Sequence, residues 1–148
     1  MTAPRELIEL DPGEEILVIA RASFRGAAAT STRATFALGS GRMRMRAYSV
    51  WHDAVTSAGF PTVPPDMIVA ASDRRVLFGK PTFWGRPPTR YWSALNHGDI
   101  AQIVATSHGI VTGVAFALAG GAVVEIEALR GRKLRRFAQA VEENLPPR

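Results

Sequence analysis

The sequence predicts a mainly β fold with some α structure: one small antiparallel β-barrel of about seven strands, capped by a C-terminal helix. Met67 to Phe83 contains two short apolar runs joined by a polar turn at Ser72-Asp73-Arg74, which indicates a β-hairpin. Further short apolar runs follow at the roughly 8–12-residue spacing of a sandwich or barrel. An amphipathic helical pattern ends the chain, so we expect residues 1–148 to form a single domain.

The composition is that of an ordinary globular protein, with 47% hydrophobic and 21% charged residues in 148. The chain has no cysteine, which excludes disulfides, thiolate metal sites and a cysteine nucleophile, and fits a reducing compartment. Its net charge is +5, and 16 of the 18 basic residues are arginine. Since arginine makes bidentate contacts with phosphate and carboxylate, this charge permits anionic partners.

The N-terminus lacks the apolar segment of a signal peptide. The stretch from Ile110 to Val124 is shorter than the ~20 residues that a membrane span requires. We therefore expect a cytoplasmic protein, with peripheral contact at the inner membrane face as the alternative.

The first strand is predicted from Glu15 to Phe24, where even positions share one buried face. An insertion at about 26–65 follows, and it contains a helix near 42–58 that ends at Gly59. The apolar face of this helix is predicted to be Met43, Ala47, Val50, Trp51, Ala54, Val55 and Ala58.

After the hairpin, strands are predicted at Tyr91–Leu95, Ile100–Ala105, 114–118 and 124–127. The second of these has an imperfect alternation that indicates a bulge. The C-terminal helix is predicted near 132–145, with its apolar stripe formed by Leu134, Phe137, Ala138, Val141 and Leu145.

An ordered set of short motifs runs from Pro12 to Leu145, interrupted by the insertion. These motifs are Pro-Gly-Glu-Glu before the first strand, ASDRRVLFGK in the hairpin, DIAQI, a Gly-Gly turn before Val-Glu-Ile-Glu, and an Arg-x-x-x-Phe-Ala helix. Together they resemble the bacterial pleckstrin-homology-like and GRAM-like domains of actinobacterial type. The resemblance implies a scaffold that binds lipid headgroups, peptides or other proteins rather than a catalyst.

Two regions are candidate sites for an anion or a membrane surface. Glycines open the inserted helix, where free N–H groups would combine with Arg42, Arg44 and Arg46. The alternative is a flexible lead-in to the helix. The second region is an aromatic and basic loop that would touch a membrane or cover an end of the barrel, through Trp84, Arg86 and Arg90.

The C-terminal helix begins with Arg132, Lys133, Arg135 and Arg136, where the helix dipole disfavours cations. Pairing with Glu125 or Glu127, an anionic partner, or a solvated basic face would each account for them.

Glu125 and Glu127 themselves form a candidate carboxylate pair for acid/base chemistry, against the simpler interpretation of a solvent-facing strand. The histidines are scattered, and His52 is predicted to lie in solvent on the inserted helix.

We therefore expect a non-enzymatic binding or adaptor module whose partner is a protein or peptide. Peripheral contact with anionic lipid headgroups is one alternative, and a small-molecule-binding or catalytic barrel is another. The sequence predicts no catalytic residue, metal site, cofactor or nucleic-acid partner.

Overall fold

The computed structural model describes residues 4, 6–27, 40–82 and 86–147. Seven strands, two α-helices and a short 3₁₀ helix (His97–Asp99) lie within these residues, so the mainly β prediction is confirmed, together with the inserted and C-terminal helices. The elements are β1 (Ile16–Phe24), α1 (Ser40–Ser57), β2 (Asp66–Ser72), β3 (Arg75–Gly79), β4 (Ser93–Asn96), β5 (Ile100–His108), β6 (Val111–Leu118), β7 (Val123–Leu129) and α2 (Arg132–Asn144).

The strands form one antiparallel sheet in the order β4-β3-β2-β1-β7-β6-β5. Strands β4 and β5 end this order, and among the described residues they do not pair with each other, so closure into a barrel is not seen. Strand β1 joins the two halves unequally: it pairs with β2 along Ile16 to Ser23 but with β7 only at Ser23 and Phe24.

The main core lies between the sheet and α2 and contains a chain of aromatic rings. Phe60 contacts Phe78 and Phe116 at ring-centroid distances of 5.2 and 5.5 Å, and Phe137 of α2 lies 6.3 Å from Phe116. All four side chains are buried. The predicted stripe of α2 packs here, with Leu134, Ala138 and Val141 buried and Leu145 partly buried against them.

The inserted helix packs Ala47, Trp51 and Val55 of its predicted face inward, but its buried face as a whole is rotated from the predicted one. Met43 and Val50 are exposed, whereas Tyr48 and His52 are buried. The physical reason is that the Tyr48 ring packs edge-on against Phe24 and its hydroxyl donates a hydrogen bond to the Val63 carbonyl. The predicted face included Trp51 and Val55, which do pack against the core, but it did not include Tyr48.

The hairpin turn between β2 and β3 tethers the chain that precedes β1. Asp73 accepts a hydrogen bond from the Glu15 N–H at 2.9 Å, and the Asp73 N–H donates to the Glu15 carbonyl at 3.0 Å. The predicted strand at Tyr91 is shorter than expected, because Tyr91 forms a single bridge with Ile8 and β4 begins at Ser93. The predicted bulge in β5 is confirmed by a register shift between Ile100 and Gln102.

None of the described helices combines the length and apolar character needed to cross a bilayer.

Candidate cationic groove

The three arginines at the start of α1 do not converge on one site. Arg44 donates to Asp66 at 2.6 Å, and its guanidinium carbon lies 5.5 Å from the centre of the Phe24 ring. Arg42 and Arg46 are exposed, one helical turn apart. Because residues two positions apart on a helix do not share a face, Arg44 points away from the other two. Gly39, part of the predicted anion-binding start, lies outside the described residues.

The residues of the predicted aromatic and basic loop likewise do not form one site. Trp84 lies outside the described residues. Arg90 forms an exposed ion pair with Glu9, with Nε 3.1 Å from Oε1. Arg86 instead lines a large groove on the sheet, in a loop where Thr82 donates a hydrogen bond to the Arg86 carbonyl.

This groove, which we call the cationic groove, has a volume of about 970 Å³, within the range of ligand sites. Its walls come from β1, β2, the β3–β4 connection, the end of β7 and the start of α2. The lining residues are Ile19, Ala20, Arg21, Ala22, Ser23, Asp66, Met67, Ile68, Pro81, Thr82, Arg86, Pro87, Ala128, Leu129, Arg130, Gly131, Arg132, Lys133 and Leu134.

The groove exists because β1 and β7 separate. They pair only at Ser23 and Phe24, so most of the β1 edge that faces β7 has no described strand beside it. The chain then turns sharply from β7 into α2. Arg130 adopts a left-handed backbone with φ 52°, and a Cβ added at Gly131 would lie 2.8 Å from Thr112 Cβ. Close packing at Gly131 therefore brings the first turn of α2 against the sheet.

The charge in the groove is unbalanced. Five basic side chains line it, and Asp66 is its only carboxylate among the described residues. Asp66 is already engaged by Arg44 at 2.6 Å and by the Ser23 hydroxyl at 2.8 Å. All five cations are exposed, and none forms an ion pair within the described part of the chain: Arg21, Arg86, Arg130, Arg132 and Lys133.

The start of α2 increases this positive potential. Its first turn contains no acidic residue, and its N-cap, Gly131, makes no side-chain capping hydrogen bond. Arg132 and Lys133 therefore lie at the positive end of the helix dipole, where each cation costs roughly 0.3–1 kcal/mol at low salt. An anion in the groove would offset this cost through charge-assisted hydrogen bonds to guanidinium and ammonium groups.

The paired glutamates of β7 have structural partners instead. Glu125 Oε2 lies 3.0 Å from Nη1 of Arg25, and Glu127 Oε1 accepts a hydrogen bond from the Gly26 N–H at 2.7 Å. Both contacts fix the chain that leaves β1. Glu125 and Glu127 do not line the cationic groove.

The histidines at positions 52 and 97 are buried, and the prediction of a solvated His52 is wrong because α1 turns this residue inward. Burial lowers the pKa of His52, against a smaller raising effect of Asp53, and burial likewise lowers the pKa of His97, against Asp73. The Nε2 atom of each ring has no hydrogen-bond partner among the described residues. Neither residue lines the groove. The described residues contain no cluster of acidic or histidine side chains arranged to hold a metal ion.

Sequence reasoning noted Arg86, Arg132 and Lys133 separately, but it did not bring them together with each other or with Arg21 and Arg130. The sequence feature that could have indicated the groove is the first turn of α2, which has two cations and no acidic residue. Comparison with protein-family models and with curated protein sequences gives no match for this chain.

Proposed function

We propose that the protein is a non-enzymatic binding module of pleckstrin-homology-like type, which binds an anionic ligand in the cationic groove. The observation that carries the proposal is a groove of about 970 Å³ with five cations that form no ion pair with any described residue, against one engaged carboxylate. Such an excess of like charge is unfavourable in the free protein and becomes favourable when anionic oxygens enter.

The architecture supports this type of module. Helix α2 contacts β1 and β2 as well as β5 and β6, which belong to opposite halves of the strand order. Contact of one helix with both halves is what a sheet curled around that helix would produce. We therefore include a curled, barrel-like sheet with α2 across its opening in the proposal, as the family resemblance implies.

The groove suits binding more than catalysis. Its polar groups are the five cations, the engaged Asp66, and the hydroxyls of Ser23 and Thr82. The Ser23 hydroxyl donates to Asp66 and the Thr82 hydroxyl to the Arg86 carbonyl. A general base would need an unoccupied basic group within hydrogen-bond reach of a substrate, and Asp66 already accepts two hydrogen bonds.

The proposal fixes the chemistry of the ligand as phosphate or carboxylate oxygens, which arginine binds in a bidentate manner. A protein or peptide partner, as the sequence led us to expect, would present acidic side chains to the groove. An anionic membrane would present phosphates. A cytoplasmic location is part of the proposal.

The test is an amide-resolved NMR titration with inorganic pyrophosphate at low salt. We expect the largest shifts at Arg21 and from Arg130 to Lys133, and an Arg132→Ser/Lys133→Ser variant to bind at least about tenfold more weakly. An Arg42→Ser/Arg46→Ser variant is the matched control, since it removes the same charge from an exposed face of α1. Equal weakening by both variants, or shifts scattered outside the groove, would overturn the proposal.

A further inference from the structure

Two large apolar side chains project into solvent beside the cationic groove. Ile110 is 65% exposed and Leu129 is 60% exposed. Val111 pairs directly with Leu129 across β6 and β7, and the Arg130 N–H donates to the Ile110 carbonyl at 2.7 Å. Ile110 and Leu129 therefore lie at one corner of the sheet, which we call the apolar corner.

The apolar corner is continuous with the cations of the groove. Leu129 lines the groove itself, and Arg130, Arg132 and Lys133 follow it directly in the chain. Ile110 follows Gly109, whose left-handed backbone (φ 63°) makes the tight turn between β5 and β6. A turn and a strand end thus present exposed apolar groups next to cations that form no ion pair within the described part of the chain.

We infer that this face docks onto an anionic membrane surface, with Ile110 and Leu129 entering the interfacial layer and the groove cations binding lipid phosphates. The inference rests on the proposed function and specifies that the anion bound by the groove is the phosphate of a membrane lipid. Apolar insertion and electrostatic attraction are each weak alone, and reversible membrane binding commonly requires both. The structure places both on one face.

The small size of the apolar corner favours a bilayer over a folded protein partner. A specific protein interface buries about 800 Å² on each partner, around an apolar centre depleted of charge. Here two side chains stand beside cations that carry no ion pair to any described residue. That arrangement suits the boundary of a bilayer, where acyl chains lie directly beneath phosphate groups.

A second exposed surface provides the matched control. Helix α1 exposes another pair of large apolar side chains, Met43 and Val50, and also exposes Arg42 and Arg46. These residues do not line the groove, so the same substitutions there remove apolar groups away from the proposed docking face.

The experiment is co-sedimentation of the full chain with vesicles of phosphatidylcholine alone or mixed with phosphatidylglycerol, at low salt. Wild type should bind only the anionic vesicles, and Ile110→Ser/Leu129→Ser should lower the partition coefficient at least about tenfold. Met43→Ser/Val50→Ser should bind as wild type does. Because all four side chains are exposed, thermal melting should show that both variants remain folded.

Pyrophosphate binding separates the inference from the proposed function. Ile110→Ser/Leu129→Ser should bind pyrophosphate like wild type, since the groove cations are retained. If wild type binds pyrophosphate or a glutamate-rich peptide but not anionic vesicles, the membrane inference fails and the proposed function stands. Vesicle binding that is insensitive to Ile110→Ser/Leu129→Ser also overturns the inference. If wild type binds neither pyrophosphate nor vesicles, both fail.

Discussion

Arg75 donates two hydrogen bonds to the carboxylate of Glu14, from Nε to Oε2 at 3.0 Å and from Nη2 to Oε1 at 2.9 Å. The Ser72 hydroxyl also donates to Oε2, at 2.6 Å. Burial alone would raise the pKa of Glu14, but the hydrogen bonds from Arg75, Ser72 and the Asp11 N–H, with the charge of Arg75, lower the pKa to about 2. The hydrogen bonds of Glu14 link the chain before β1 to the β2–β3 hairpin.

Replacing Glu14 with Gln should destabilise the protein by about 1.5–3 kcal/mol, the contribution of hydrogen bonds to a charged group. The reason is that the half-buried guanidinium of Arg75 loses its bidentate acceptor. Urea unfolding measures the difference. Glu9→Gln is the control, because the Glu9–Arg90 pair is exposed and should contribute at most about 1 kcal/mol. Equal losses in the two variants would show that burial of the pair has no effect on its strength.

The same carboxyl should give the protein an acid-sensitive stability. Because the pKa of Glu14 is lower in the folded protein than its ordinary value of 4.5, its contribution is present above pH 4.5 and is lost as pH falls toward 2. The free energy of unfolding of Glu14→Gln should therefore fall less steeply across this window than that of wild type. Parallel pH curves for the two proteins would contradict the assignment.

The buried histidines should contribute a second dependence on pH. Burial lowers the pKa of His52 and His97 below their ordinary value of 6.5. As pH drops below 6.5, these histidines are protonated in the unfolded chain before they are protonated in the folded protein, and the free energy of unfolding therefore falls. A His52→Leu/His97→Leu variant should lose most of this slope in urea unfolding between pH 7 and 5. His108 is exposed, and His108→Gln should keep the wild-type slope. If the double variant kept the wild-type pH dependence of the free energy of unfolding, that dependence would come from other groups.

The turn into α2 should be sensitive to one methyl group. A Cβ at position 131 would lie 2.8 Å from Thr112 Cβ and 3.3 Å from Ala128 Cβ, so Gly131→Ala should cost about 1–3 kcal/mol through overpacking. Gly120→Ala is the control, since a Cβ there meets nothing within 4 Å. Thermal unfolding should show a lower melting temperature for Gly131→Ala alone. An unchanged melting temperature would show that the turn can shift freely.

The strands could be predicted from the sequence because alternation is a local property. The buried face of β1, the β2–β3 hairpin and the apolar stripe of α2 each follow from residues close in the chain. The full buried face of α1 could not be predicted in the same way. Its position depends on contacts of Tyr48 with Phe24 and Val63, which come from other parts of the fold.

The candidate site depends still more on tertiary structure. Arg21, Arg86 and Arg130 lie far apart in the chain and line one groove because β1 and β7 separate after two paired residues. Nothing in the local pattern of β1 indicates where its pairing with β7 stops. Conversely, Arg42 and Arg44 are close in sequence and yet point to different surroundings, because a helix turns successive residues away from each other.

The central claim is that the face bearing the cationic groove and the apolar corner meets an anionic membrane. Because the chain has no cysteine, an environment-sensitive fluorophore can be attached at a single position through Ile110→Cys or, as control, Val50→Cys. On addition of phosphatidylglycerol vesicles, we predict a blue-shifted emission for the label at position 110 and none for the label at position 50. A shift at position 50 with none at position 110 would contradict the account.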